Sequence, residues 1–301
     1  MPPAGRDLPS PTAPGPLLPW LLAALAPMNR TRVKQLLQHG RVIVNDRPVT
    51  RHDHPLSPAD RVYIAAEATV GRADHGPILP ILFEDDAIVV IDKPAGLLSV
   101  ATDTEKEDTA FARLAAILAG RKADRPAVVH RLDRGTSGLL LFARSPQVRD
   151  RMQAGWEGVS KTYLAVVEGV PRPAQGTIEN HLLEGGNLRV RPAAADAPGA
   201  KRAASRYRSL GTHDRVTLVA VDILTGRKHQ IRVHLAGLGC PVASDRDYGA
   251  KTDPVGRVCL HAWRLGFDHP VTGRRVEVEA PPPADLWRAF GAPAGQRPRL
   301  A

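Results

Sequence analysis

The chain has 301 residues, 43% apolar and 24% charged, a balance that suits one large folded domain with a smaller companion and excludes a disordered chain. Its net charge of +10 implies a polyanionic partner, whether RNA, DNA or an acidic membrane surface, although only 8 of the 41 basic residues are lysine. Cys240 and Cys259 stand alone, without a C-x-x-C pair or a disulfide framework, as expected of a reducing cytosol.

Met1 to Pro16 is rich in Pro and Gly and has no apolar period, so residues 1–16 read as a disordered tail. Residues 17–66 read as a small domain. Its apolar run Leu17–Leu25 lacks the flanks of a signal peptide and falls short of the roughly 20 residues that span a bilayer, so it is expected to be a core helix. Asn29-Arg30-Thr31 caps a second helix with Val33, Leu36 and Leu37 at helical spacing, and Gly40 ends it. Val42, Val44, Val49, Val62 and Ile64 read as short strands around an Asn45-Asp46 turn. Residues 67–78, with mixed charge and little apolar content, read as a linker.

Beyond the linker, Ile88–Ile91 is an expected strand that turns at Asp92-Lys93-Pro94-Ala95-Gly96. Thr109–Ala119 is an amphipathic helix carrying Phe111, Leu114, Ile117 and Leu118. The run His130–Ala143 then sets one carboxylate, Asp133, among Arg131, Arg134 and His130, in a turn that feeds an apolar strand. Nearby cations favour the ionised form of an acid. A plain turn has no need of them, whereas a site holding an anionic nucleophile beside a polyanion does.

Ser145-Pro146 opens a helix. Lys161–Gly169 alternates as a strand. Ile178–Tyr207 holds two or three weak strands around the loop Pro192–Gly199, and Val216–Leu224 is a buried strand. After the turn Thr225-Gly226, a helix buries Ile231, Leu235 and Leu238 and ends at Gly239. Arg232 lies one residue off that stripe, at the edge of the core and facing a cleft. Val276–Val278 is a further strand, and residues 291–301 form a tail. The reading for 79–290 is an α+β domain with a mixed, mainly antiparallel sheet and a central cleft. No His/Cys spacing suggests a metal site, and neither G-x-G-x-x-G nor G-x-x-x-x-G-K-[ST] occurs.

His130-Arg131-Leu132-Asp133-Arg134-Gly135-Thr136-Ser137-Gly138-Leu139 resembles H-R-L-D-x-x-T-S-G-L, the central motif of the RluA-type pseudouridine synthases. Other family motifs follow in order between Leu79 and Pro282: Lys93-Pro94-Ala95-Gly96, the Tyr163 segment, Thr225–Leu235, Gly239–Gly249 and Leu260–Pro270. Leu97-Leu98-Ser99-Val100 departs from the usual apolar–His–Pro continuation. Ser244 stands where Gly is usual, so positive φ is not expected there.

The resemblance implies isomerisation of uridine to pseudouridine without metal or cofactor. Asp133 would attack ribose C1′ or remove a C2′ proton to give a glycal, Tyr163 would stack on the target base, and Arg232 would pair with Asp133. Arg131, Arg134, Lys161, Arg227 and His229 would meet RNA. The first domain resembles the S4 RNA-binding fold, with Arg30, Arg32, Lys34 and Arg41 as its matching cations. The expected protein is a cytoplasmic monomer acting on structured RNA, ribosomal ahead of transfer RNA, with no membrane contact. Two other readings compete. A non-enzymatic RNA binder would have no need of Asp133, Tyr163 and Arg232 together, and a nucleoside hydrolase usually wants a second acid.

Overall fold

The structure is a computed structural model that describes residues 5–38, 41–45, 47–49, 52–65, 79–102, 108–119, 125–186 and 189–300. The chain divides into one unit spanning Met1–Ile78 and another spanning Leu79–Ala301.

The first unit runs β1 (Gly5–Asp7), β2 (Gly15–Pro16), α1 (Leu17–Ala24), α2 (Arg30–Gln38), β3 (Val42–Val44), β4 (Arg47–Pro48), β5 (Pro55–Leu56) and β6 (Val62–Ala65). Leu17, Leu21, Val33, Leu37, Val42 and Val62 form its core. Asn29 caps α2, its Oδ1 accepting the Arg32 N–H at 2.9 Å. The expected disordered tail is corrected over its described part: β1 pairs antiparallel with β6, Arg6 opposite Ile64, and Leu8 is buried. A neighbouring strand satisfies this backbone, and composition does not register such pairing. The Gly40 stop, Asp46 and the linker 67–78 lie outside the described residues.

The second unit runs β7 (Ile81–Glu84), β8 (Ile88–Lys93), α3 (Ala110–Leu118), β9 (Ala127–Val128), β10 (Ser137–Ala143), α4 (Pro146–Ala154), β11 (Ser160–Glu168), β12 (Gln175–Glu184), β13 (Val190–Ala193), β14 (Lys201–His213), β15 (Val216–Ile223), α5 (Gln230–Gly237), β16 (Leu260–Asp268), β17 (Arg275–Glu279) and α6 (Ala284–Phe290). Its strands order as β13-β12-β14-β15-β11-β16-β10-β8-β7, with β17 added to β16 and β9 to β10. The fold is therefore α+β on a large, mostly antiparallel sheet. Side-chain caps start α3 and α4 locally. Thr109 Oγ1 accepts from Ala112 N at 3.1 Å and Ser145 Oγ from Val148 N at 3.2 Å.

The segments expected to be weak strands are long here, 10 residues in β12 and 13 in β14, because each is flanked by a partner strand. The expected C-terminal tail is also corrected. Ala292 is buried, Pro298 lies against Gly211, and the Arg297 guanidinium covers the Trp287 ring at 5.0 Å. No described helix is long and apolar enough to cross a membrane.

β10 is buried along its whole length, as its unbroken apolar run requires. It meets β8 antiparallel but β16 in parallel, through Ser137 opposite His261 and Gly138 opposite Ala262. His261 Nε2 donates to the Ala280 carbonyl at 3.1 Å, so its Nδ1 accepts the Ser137 hydroxyl proton at 2.9 Å. Gly138 has φ +107, and a Cβ there would overlap the Ala262 carbonyl oxygen and lie 2.7 Å from its nitrogen. Gly138→Ala is accordingly expected to lower unfolding stability by on the order of 3 kcal/mol, read from urea denaturation.

Candidate active site

Asp133 lies in the loop between β9 and β10, with its side chain 32% exposed. That loop is fastened to residues 93–99. The buried Ser99 hydroxyl donates to the Leu132 carbonyl at 2.7 Å and accepts the Leu132 N–H at 2.9 Å. Gly96 N–H donates to the Arg134 carbonyl at 2.8 Å, and Arg134 Nε donates back to the Gly96 carbonyl at 2.9 Å. Thr136 N–H closes the turn on the Asp133 carbonyl at 3.1 Å. One hydroxyl thus stands in for a strand partner, satisfying two backbone groups that burial would otherwise orphan.

Beneath the loop, Lys93 is fully buried and its Nζ donates to the carbonyls of Leu97 at 2.8 Å and Pro94 at 2.9 Å. Burial lowers its pKa to about 7. Asp133 is the strongest influence against that shift, Arg257 adds to it, and Asp92 opposes it.

His130 is not one of the cations around Asp133, and the expectation is corrected. Its Nε2 accepts the Leu141 N–H at 3.0 Å, its ring lies 4.9 Å from that of Trp156, and burial holds its pKa near 3. An imidazole that accepts a backbone proton through Nε2 is neutral. Lys161, expected to meet RNA, turns inward instead. Its ammonium sits 4.9 Å over the Trp156 ring and donates to the Val159 carbonyl at 2.9 Å, and burial lowers its pKa. Arg131 and Arg134 are exposed.

The helix α5 brings the second half of the site. Gln230 Oε1 accepts from the Thr225 hydroxyl at 2.7 Å and from Arg227 N–H at 3.0 Å, while Nε2 donates to the Ala204 carbonyl at 2.9 Å. Residues Gln230 to Leu235 are all buried, so Arg232 lies inside the helix packing rather than at its edge. Its charge is tolerated there because Asp245, 1% exposed, accepts Nε and Nη2 at 2.7 Å each. Burial alone would depress the Arg232 pKa, but its hydrogen bond to Asp245 raises it. The expected contact with Asp133 is present as a longer one, Nη1 to Oδ2 at 3.9 Å, and is secondary to Asp245. The Asp245 turn requires a left-handed residue at Ser244 (φ 66), so the expectation for Ser244 is overturned.

Tyr163 is buried on β11, where a register shift between Thr162 and Tyr163 marks a bulge against β16. Bulges of this kind re-aim side chains next to functional sites. Burial pushes its phenol pKa well above the ordinary tyrosine value, and Asp133 pushes it the same way. Arg227 is exposed and its Nε donates to the Arg202 carbonyl at 3.0 Å. His229, expected to meet RNA, has Nδ1 2.8 Å from the Tyr248 hydroxyl and Nε2 3.9 Å from Asp133 Oδ2. Lys228 pairs with Glu184. In the first unit Arg30, Arg32 and Lys34 are exposed, whereas Arg41 donates to the Ala65 carbonyl at 3.0 Å.

Lys93, Ser99, Asp245 and Tyr248 all bear on the site, and sequence reasoning singled out none of them for it. The signal for Ser99 was present, a polar residue in an otherwise apolar run after Gly96. Among the described residues, no three His, Cys, Asp or Glu side chains come together as a metal-holding group.

Residues 87–237 match the family profile described as RNA pseudouridylate synthase. YlyB of Bacillus subtilis, named an uncharacterized RNA pseudouridine synthase, is 35% identical over 268 residues, which is 86% of this chain and 87% of its own. Ribosomal large subunit pseudouridine synthase D of Neisseria meningitidis serogroup B is 31% identical over 89% of this chain and 76% of its own. Among solved structures, human RNA Pseudouridylate Synthase Domain Containing 4 superimposes with a TM-score of 0.59 at 25% identity, covering 70% of this chain and 92% of its own.

Ser99→Ala leaves the Leu132 N–H and carbonyl without a partner. It is expected to cost about 1–3 kcal/mol in thermal or urea unfolding, with Ser99→Thr recovering part of the loss.

Proposed function

Because the chain belongs to the RNA pseudouridylate synthase family, as an RluA-type pseudouridine synthase, we propose that it isomerises uridines of structured ribosomal RNA with Asp133 as the acting carboxylate. The observation that carries this reading is the state of the acids around Arg232. Asp245 is 1% exposed and both its oxygens are bonded to Arg232, while Asp247 is shared between Arg189 at 2.9 Å and Arg232 at 3.3 Å. Asp133 is 32% exposed and close to the same guanidinium without being bonded to it. Asp247 is the more exposed at 50%, but of these three acids Asp133 is the one whose carboxylate accepts no guanidinium hydrogen bond, which leaves it available to a substrate.

Isomerisation breaks the N1–C1′ bond and forms a C5–C1′ bond. The proton lost from C5 is balanced by one gained at N1, so no external reactant enters. Bond breaking leaves positive character on C1′, which an adjacent carboxylate stabilises or traps. Removal of the C2′ proton by the same carboxylate is the other route open to it. Tyr163, kept neutral by its raised pKa, offers an apolar face for the uracil while the base turns. A single carboxylate suits this rearrangement better than hydrolysis, which wants a second group to activate water.

Arg131, Arg134 and Arg227 on the rim are assigned to phosphate contacts, which fix position more than sequence. The target uridine would be extruded at a cost of a few kcal/mol, least in an unpaired loop. The name of the Neisseria relative supports ribosomal RNA as the substrate class. We assign the first unit to an S4-like RNA-binding role, carried by Arg30, Arg32 and Lys34 on α2.

Asp133→Asn is nearly isosteric, so folding and RNA binding should persist while pseudouridine formation falls at least ~10³-fold, read by chemical mapping of the RNA. Measurable turnover by that variant removes Asp133 from the mechanism. Reversing Arg30, Arg32 and Lys34 to Glu together should weaken RNA binding more than about tenfold and flatten its salt dependence, and unchanged affinity counts against the S4-like role.

A further inference from the structure

His229 precedes α5 with left-handed backbone torsions, φ 53 and ψ 14, and its side chain makes no capping bond to the helix. That conformation is costly for a non-glycine residue and gathers at functional sites. The ring is held from behind. Nδ1 lies 2.8 Å from the Tyr248 hydroxyl, and that oxygen accepts the Val190 N–H at 3.0 Å. A phenol that accepts from a backbone amide keeps its own proton to give. Donation of that proton to Nδ1 places the imidazole proton on Nε2, the nitrogen that faces Asp133 Oδ2 at 3.9 Å. Arg232 Nη1 faces the same oxygen at 3.9 Å, and its guanidinium lies 4.8 Å over the Tyr248 ring. One phenol thus supports both groups that address Oδ2.

We propose that His229 and Tyr248 are positioning residues for Asp133: with Arg232 they direct two N–H donors at Oδ2 and leave Oδ1 as the oxygen that meets the ribose. This rests on the reading of Asp133 given above.

The charges facing His229 are Asp133 from its loop, Arg232 from α5, the adjoining Lys228, Asp245 from the turn that carries Tyr248, and Glu184 from β12. Burial lowers the His229 pKa, Asp133 and Asp245 oppose the shift, and Arg232 and Lys228 add to it. The net direction is downward and favours the neutral ring, the form whose Nδ1 can accept the Tyr248 proton.

The test uses the full chain with an unmodified ribosomal RNA transcript, comparing wild type, Tyr248→Phe, His229→Asn (Asn tolerates left-handed torsions) and Asp133→Asn. Tyr248→Phe and His229→Asn should each lower kcat about tenfold while RNA Kd stays within about twofold. The 15N shifts of the His229 ring should show the Nε2–H tautomer in wild type and a tautomer mixture in Tyr248→Phe, a readout that a loss of packing alone would not move. An Nδ1–H or doubly protonated ring in wild type at pH 7 overturns the proposal. So does loss of RNA affinity at unchanged kcat, which would make His229 an RNA contact. If Asp133→Asn is inactive while the other two variants turn over normally, the positioning inference alone falls. If Asp133→Asn is active, the Asp133 reading falls with it.

Discussion

Arg232 and Asp245 form a bidentate pair deep in the second unit, and the condition of Asp133 follows from it. A buried guanidinium will take the best acid within reach. Asp245 is that acid, with Asp247 next at 3.3 Å and Asp133 farther off at 3.9 Å. Because Asp245 accepts from Nε and Nη2 at 2.7 Å each, Nη1 is the nitrogen that faces Asp133, at 3.9 Å and beyond hydrogen-bond reach. Buried pairs of this kind are weak evidence for added stability and better evidence for fixed geometry. The pair appears here in that second capacity.

The two halves of the site are fixed by different means. The Asp133 loop is fixed by hydrogen bonds to residues 93–99, with Ser99 and Gly96 serving as rungs. The Arg232 helix is fixed by Gln230 at its start and by the buried run through Leu235. Two of the exposed arginines share in this fastening, Arg134 through its Nε on the Gly96 carbonyl and Arg227 through its N–H on Gln230 Oε1.

Much of the fold was legible in local signals. Asn29, Thr109 and Ser145 announce helix starts within three or four residues, and β10, β11 and β15 follow from apolar runs of the right length. What escaped was decided by partners far away in the chain. The residues before Leu17 looked structureless because β6, which orders β1, lies more than fifty residues on. His130 looked like a cation because the acceptor role it plays toward Leu141 depends on how the loop folds back on its own strand. Arg232 was placed near Asp133, but its principal partner was missed because Asp245 sits in a turn whose glycine-like conformation is taken up by a serine. Ser99 was visible as an irregularity, and its meaning lay thirty-three positions downstream.

The parallel seam between β10 and β16 carries an implication for how the molecule comes into being. His261 joins Ser137 across 124 positions, whereas β8 and β9, the other neighbours of β10, precede it in the chain. During synthesis the start of β10, beside the Asp133 loop, therefore leaves the ribosome well before Leu260–Asp268, the strand that pairs with it at Ser137 and Gly138. Such distant closure is slow compared with hairpin formation. A chain truncated before residue 260 would hold every motif up to Arg232 and still lack the strand that closes the sheet beside Asp133.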